Sequence, residues 1–264
     1  MGNILTIANK ELRIYLTTWT SYIIFGAFVL ISAFFFQQLV LDYQLRSQEY
    51  TQYQYKDMLA QMNLTDWVVA PLLSNVVVFF LFMMPILTMR LFSEERKTKT
   101  LQLLMTTPVR PVEIVLGKYV AALCIMLIML GLSFFFPVLL HIFGATSDGT
   151  TPLDWNTITI GYLGMALFGA ASVAVGLLTS SLTESQIVAV ISSFAILLML
   201  YVIGAAARGQ EGVWEQFFQY LSITTHLEGF LRGMIRLPDL VYYLSLSFFG
   251  IFLTYQVIEA ERWK

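Results

Sequence analysis

Charge is scarce in this chain. Only 12% of its 264 residues are Asp, Glu, Lys or Arg, against about 25% in a typical soluble domain. Cysteine is almost absent as well. The single residue, Cys124, excludes an intrachain disulfide and lies in an apolar run, where it reads as a small packing residue. There are two histidines, His141 and His226, and no His-Glu-x-x-His pair, which removes the usual helix-borne zinc protease site. Glu94-Glu95 followed by Lys99 only approximates the Glu-Glu-x-x-x-Arg signature of a membrane protease family, and no histidine supports it. A phosphate-binding loop is missing too. Gly117-Lys118 imitates the end of one, but Tyr119 replaces its Ser/Thr and Val112 stands where its first glycine belongs. The chain is therefore expected to be no enzyme and to bind no cofactor, metal or nucleic acid of its own.

What the sequence has instead is apolar length. Hydrophobic residues make up 58% of it, and the mean hydropathy is +0.73. Six apolar runs lie near 20–41, 67–91, 119–142, 157–179, 187–207 and 240–258, free of Asp, Glu, Lys and Arg except for Arg90 at the end of the second. A bilayer core of roughly 30 Å takes about 20 apolar residues as a helix. The runs are continuous rather than alternating, which excludes a transmembrane β-barrel. The pattern predicts an all-α integral membrane protein, one domain over 1–264 with six transmembrane helices. The first run is too long for a signal-peptide core and Phe34-Phe35-Phe36-Gln37 offers no small-residue cleavage site, so no cleavable leader is expected.

Basic residues set the orientation. With the N-terminus inside, ten of the fifteen Lys and Arg fall on the cytoplasmic side, and six of these lie between Arg90 and Lys118. Both termini are then cytoplasmic. Residues 4–18 place Ile4, Ala8, Leu12 and Tyr15 on one side of a helix, which fits an N-terminal helix lying in the inner interface; a plain lead-in to the first span is the alternative. The polar stretch 42–66, rich in Tyr and Gln, continues the first helix beyond the bilayer and returns at Trp67. The fourth run is crowded with Gly161, Gly164, Gly169 and Gly176 among alanines and serines. Small residues let helix backbones approach closely in lipid, so this helix is expected to be central, packed on neighbours or on a second subunit. Between the last two runs, within 208–238, Trp214, Phe217, Phe218 and Leu221 recur at helical spacing, followed by His226 and Glu228. This outer amphipathic segment is too short and too charged to span. It fits a structural gasket and an outer gate equally, with His226 and Glu228 read as an interfacial hydrogen-bonding pair.

The cytoplasmic loop 94–117 carries the most information. Glu94-Glu95-Arg96-Lys97 is followed by an amphipathic stretch through Leu101, Leu103, Leu104 and Met105. Thr106-Thr107-Pro108 ends it, because proline cannot donate and pushes its predecessor out of helical geometry. Pro111 suits the first turn of a new helix, with Glu113 near its positive end. Two acids, a basic run, Thr-Leu-x-Leu-Leu, Thr-x-Pro-Val and Glu-Ile-Val-Leu-Gly-Lys resemble the coupling region of ABC-transporter permeases of the type-two export class. Thr225-His226-Leu227-Glu228-Gly229-Phe230-Leu231-Arg232-Gly233 and the terminal Glu261-Arg262-Trp263 look most like the gliding-motility-associated subgroup. The likeness spans essentially the whole chain. One departure is Lys99, where such permeases usually have glycine; a side chain there constrains the turn.

The resemblance implies a permease subunit in the bacterial inner membrane, paired with a second, identical or related permease chain. A separate ABC ATPase would hold ATP and Mg and drive export or envelope and gliding work. Glu94, Glu95, Thr100, Leu103, Leu104, Pro108 and Val109 would then form the coupling helix that docks on that ATPase. Charge alone offers another role for Arg96, Lys97 and Lys99, binding anionic lipid, and the two roles are compatible. An ion-coupled secondary transporter or a structural membrane subunit is the alternative. Against the former, the spans carry no ionisable group in their interiors, where transport residues usually sit. Gln37, Gln38, Asn75, Ser133, Ser192 and Ser193 are left as candidates for a polar path. The spans offer no charged pocket, which fits a lipid, a hydrophobic peptide or a mechanical output.

Overall fold

The computed structural model describes residues 2–55, 62–105, 109–144, 153–207 and 212–261, and among these every regular element is helical. Six helical stretches are long and apolar enough to cross a membrane: Trp19–Gln52, Thr65–Lys97, Pro111–Phe143, Trp155–Leu182, Gln186–Ala205 and Leu237–Glu261. In chain order the helices are α1 (Gly2–Thr17), α2 (Trp19–Gln52), α3 (Ala70–Thr88, entered through a π-turn at Thr65–Val69), α4 (Arg90–Lys97) and α5 (Thr100–Met105). Then come α6 (Pro111–Ser133), α7 (Phe135–Phe143), α8 (Trp155–Leu182), α9 (Gln186–Ala207), α10 (Val213–Leu221), α11 (Ile223–Leu231) and α12 (Leu237–Glu261).

α2 runs for 34 residues, about 51 Å at 1.5 Å per residue, so the first span continues into the polar stretch as its sequence suggests. The second helix starts where Asn63 and Asp66 cap each other: the Asp66 amide donates to Asn63 Oδ1 at 2.7 Å, and the Asn63 amide to Asp66 Oδ2 at 2.8 Å. The third span begins at Pro111, earlier than its charge-free run, and breaks at Phe134 before continuing as α7.

α8 is the hub. Two-thirds of its most apolar window, 67%, is buried inside the protein, against 11% for α2. It packs on α12, α3, α9, α11, α6 and α4. Its glycines mark the closest approaches: a Cβ at Gly164 would meet the Phe230 ring, one at Gly169 the Met126 side chain, and one at Gly176 Thr88 Oγ1 at 2.0 Å. A Cβ at Gly161 would stand 3.0 Å from the Leu73 side chain.

One turn beyond Gly176, α8 enters the second helix chemically. Pro85 lies inside α3 and has no amide to donate, and the helix is interrupted at Met89, between α3 and α4. Ser180 Oγ accepts from the Phe92 amide at 3.0 Å and the Ser93 amide at 3.2 Å, and it donates to the Met89 carbonyl at 2.7 Å. Ser180 thereby supplies hydrogen bonds that the interrupted ladder leaves open. Ser180→Ala is expected to leave two buried amides without an acceptor and to destabilise the protein by about 1–3 kcal/mol. Thermal unfolding in detergent checks this, and an unchanged midpoint would show that these amides find other partners.

Candidate functional site

At the end of the bundle that carries α1, α4 and α5, three helices, α1, α4 and α6, meet around one ammonium group. Lys118 lies two turns inside α6 and is 1% exposed. Its Nζ donates to Glu11 Oε1 at 3.0 Å, Glu95 Oε1 at 2.8 Å and the Leu91 carbonyl at 2.6 Å. An ammonium has three protons, and all three are used. The Phe92 ring covers it, with its centroid 5.2 Å from Nζ. The helix expected from Pro111 does run through Lys118; what that expectation missed is the full burial of its ammonium group.

Glu11 explains how α1 sits. The expected stripe was Ile4, Ala8, Leu12 and Tyr15, but the residues actually buried are Ala8, Glu11 and Tyr15. The helix turns an acid inward because Lys118 waits there, and it packs along α6. Gly117 allows this, since a Cβ there would stand 2.8 Å from the Ile7 side chain. Asn3 Nδ2 reaches Glu113 Oε2 at 3.1 Å, and the Tyr15 hydroxyl donates to the Leu87 carbonyl. Burial pushes the Tyr15 phenol well above its ordinary pKa, although Arg90, 4.8 Å over its ring, pulls the other way. The phenol therefore stays a donor.

The loop residues divide into two sets. Glu94 and Thr100 are exposed. Glu95, with a side chain 17% exposed, is engaged with Lys118. Arg96 turns inward to pair with Glu261 at the end of α12, so of the basic run only Lys97 and Lys99 face outward. Leu101 is buried, and Val109 packs on the core. Leu103 and Leu104 belong to α5, while their side chains and the whole of Pro108 lie outside the described residues. Between α4 and α5 the chain turns sharply. The Thr98 amide donates to Glu94 O at 3.0 Å and the Lys99 amide to Arg96 O at 3.1 Å. Lys99 has φ +57°, the left-handed region that glycine enters freely and other L-residues enter at a cost of about 1–2 kcal/mol. The departure from glycine noted in the sequence thus falls on the position where glycine has a physical reason to be. An open cavity of about 500 Å³ lies beside this junction, bounded by Lys10, Tyr15, Arg90, Glu94, Glu95 and Thr98 among others.

The opposite end holds the other sequence candidates. α10 buries none of its residues; Trp214 and Phe217 are exposed, and Phe218 is half-buried against Trp214. His226 pairs with a different acid from the one expected. Its Nδ1 is 2.7 Å from Asp239 Oδ1, its Nε2 is 2.9 Å from the Tyr220 carbonyl, and its ring stacks on Tyr242 at 4.1 Å. Glu228 instead is exposed, 3.9 Å from Arg232. The reason is helical geometry: residues two apart point to different faces, so His226 faces α12 while Glu228 faces outward. The two ends therefore differ in kind. One is a buried ionic knot beneath a short surface helix, and the other is a hydrogen-bonded cap of short helices.

A model of the ABC-2 family transporter proteins matches residues 5–258. The chain belongs to that family. It is a multi-pass membrane protein and the permease component of an ABC transporter, a role that implies association with an ABC ATPase and no catalysis by the permease itself. No curated protein matches the sequence.

Sequence reasoning missed four contributors to the permease's junction: Glu11, Lys118, Ser180 and the Arg96–Glu261 pair. Glu11 carried a signal, an acid lying between Ala8 and Tyr15 on an otherwise apolar face. Lys118 carried the complementary one, a single cation directly before an apolar run. Ser180 and Glu261 carried none, because nothing local marks which distant backbone or cation they meet.

Two predictions follow from this geometry. Lys118→Met strands two partly buried carboxylates and is expected to cost about 3–5 kcal/mol, whereas adding Glu11→Leu and Glu95→Leu to it should restore most of that. Thermal unfolding of the purified permease measures both, and a triple variant as unstable as the single one would show that the charges are not the issue. Lys99→Gly is expected to raise stability by about 1 kcal/mol by releasing the left-handed strain, read in the same assay.

Proposed function

We propose that this permease sits in a bacterial inner membrane with both termini in the cytoplasm and works as a pair of permease chains, identical or related. A separate ABC ATPase, which holds ATP and Mg, docks against the α4–α5 segment. Glu94, Thr100, Leu103, Leu104 and Pro108 form the contact, while Glu95 and Val109 anchor its base. The work is export or a cell-envelope process of the kind its gliding-related resemblance suggests. On this reading the chain is one permease domain, with α1 at the inner interface and 208–238 as an outer interfacial segment whose Trp214, Phe217, Phe218, His226 and Glu228 gate the outer side.

The observation that carries the coupling role is the Lys118 knot. A short surface helix transmits force only if it is fixed to something that crosses the membrane. Glu95 of α4, Glu11 of α1 and Lys118 of α6 share one hydrogen-bonded centre, and Arg96 adds α12 through Glu261. A displacement of α5 is then handed to three elements at once. Closure of the ATPase dimer on ATP moves α5, and α6 carries that motion toward the far side.

Purification of the tagged permease in mild detergent is expected to retain a stoichiometric P-loop ATPase. Leu103→Asp with Leu104→Asp is expected to lower permease-stimulated ATP hydrolysis at least tenfold while the thermal midpoint stays within a few degrees. Unchanged stimulation in a folded double variant, or recovery of the chain without any ATPase from nanodiscs containing nucleotide, would overturn the coupling role.

A further inference from the structure

Two cavities at the α10–α11 end run into one another. The first, about 510 Å³, lies between α3 and α9, with Gln219, Thr224 and Thr225 among the residues closing it. The second, about 940 Å³, lies between α3 and α2 and reaches Leu39, Asp66 and Arg232. Ser74, Glu228 and Leu231 line both, so they form one cleft with α3 as its back wall. α2 and α9 each pack on α3 but make no extensive contact with each other. They are also the least covered spans, with 11% and 17% of their apolar windows buried. The cleft therefore opens sideways, between two apolar helices, into the region a bilayer occupies.

Its walls are amphipathic. Val77, Leu39, Leu227 and Leu231 supply apolar surface. Polar side chains stand at two levels of the back wall, Asp66 in the π-turn and Ser74 and Asn75 within α3, with Ala70 and Pro71 between them; the two levels are about 13 Å apart along a helix. The Asn75 amide makes no hydrogen bond among the described residues, and the Glu228 carboxylate has only the long, exposed contact with Arg232 at 3.9 Å. Three charged side chains line the cleft, Asp66, Glu228 and Arg232, and their sum is negative. The spans alone offered no charged pocket; the charge is supplied by residues just beyond their ends. Ionic groups beside an apolar trough suit a molecule with a charged head and a tail, and a net negative wall selects a positive head.

We propose that this cleft binds the cationic headgroup of a membrane amphiphile, with the nitrogen between Glu228 and Asp66 and the alkyl chain lying against α3 between α2 and α9. An adjacent phosphate, where the head has one, falls to Arg232. This adds a substrate class to the transport role above. Its test uses the permease alone, without ATPase or nucleotide, so it stands or falls separately from coupling.

The experiment is photolabelling of the purified permease in dodecyl maltoside with two diazirine-bearing long-chain probes, an alkylamine and a fatty acid, followed by peptide mapping. The amine probe is expected to label α3, α9 and α11 at least tenfold more than the acid probe, and Glu228→Gln with Asp66→Asn should remove that preference. Ser74→Trp, which fills the cleft without touching its charges, should lower amine labelling about as much. Stronger competition by lysophosphatidylethanolamine than by a plain alkylamine would identify a bilayer lipid as the source, and the reverse a free amphiphile; either supports the proposal, whereas competition by neither would overturn it. Equal labelling by both probes, a preference that survives the double variant, or cross-links between two permease copies across the cleft with no probe inserted would overturn it.

Discussion

In a bilayer, apolar side chains gain nothing by leaving lipid for each other, so what holds helices together is closeness of fit and the few polar groups that meet. This constraint is visible throughout the permease. α8 draws the other helices in because its glycines present bare backbone to Leu73, Phe230, Met126 and Thr88. The same helix then contributes Ser180, whose hydroxyl bridges the interruption between α3 and α4. Remove the fit and there is little left to choose this arrangement over another. The apolar faces of α2 and α9, by contrast, are left to lipid or to a partner chain.

The ionic knot follows from the same constraint with the sign reversed. A cation withdrawn from water without partners is very costly, so a buried lysine has to find its acceptors within the fold. Lys118 finds them on α1 and on α4, the latter giving both Glu95 and the Leu91 carbonyl. Such a centre adds little net stability, since desolvation offsets most of the attraction, but it leaves few alternative positions for the pieces it joins. Definition of position, rather than strength, is what the knot contributes.

The fold was legible from sequence wherever lipid imposes its own rule. All six spans, the extension of the first helix past its apolar run and the start of a helix at Pro111 could be read from residue type alone, because backbone groups in hydrocarbon must be satisfied within a helix. The hub position of the fourth span was legible from its small residues for the same reason. Pairings were not. His226 was matched to Glu228 on proximity in sequence, whereas Asp239 reaches it across the gap between α11 and α12. Glu95 looked like a surface residue among charges, and only the return of α1 alongside α6 shows it to be a tether. The left-handed turn at Lys99 was visible only as a departure from glycine; its backbone angle gives that departure a cause.

The length of α2 has a mechanical consequence. Its 34 residues make a rod of about 51 Å, while the hydrocarbon layer takes up about 30 Å. Absorbing the excess by inclination alone would need roughly 54° from the membrane normal, beyond the 0–40° range that such helices occupy. The stretch from Asp42 to Gln52, stiffened by the Asp42–Arg46 pair at 3.0 Å, must then stand clear of the bilayer as a mast about 16 Å tall. A rigid mast works as a pointer. A rocking of about 10° at its foot moves the tip sideways by roughly 3 Å, so small rearrangements among the spans are displayed outside the membrane as a larger excursion.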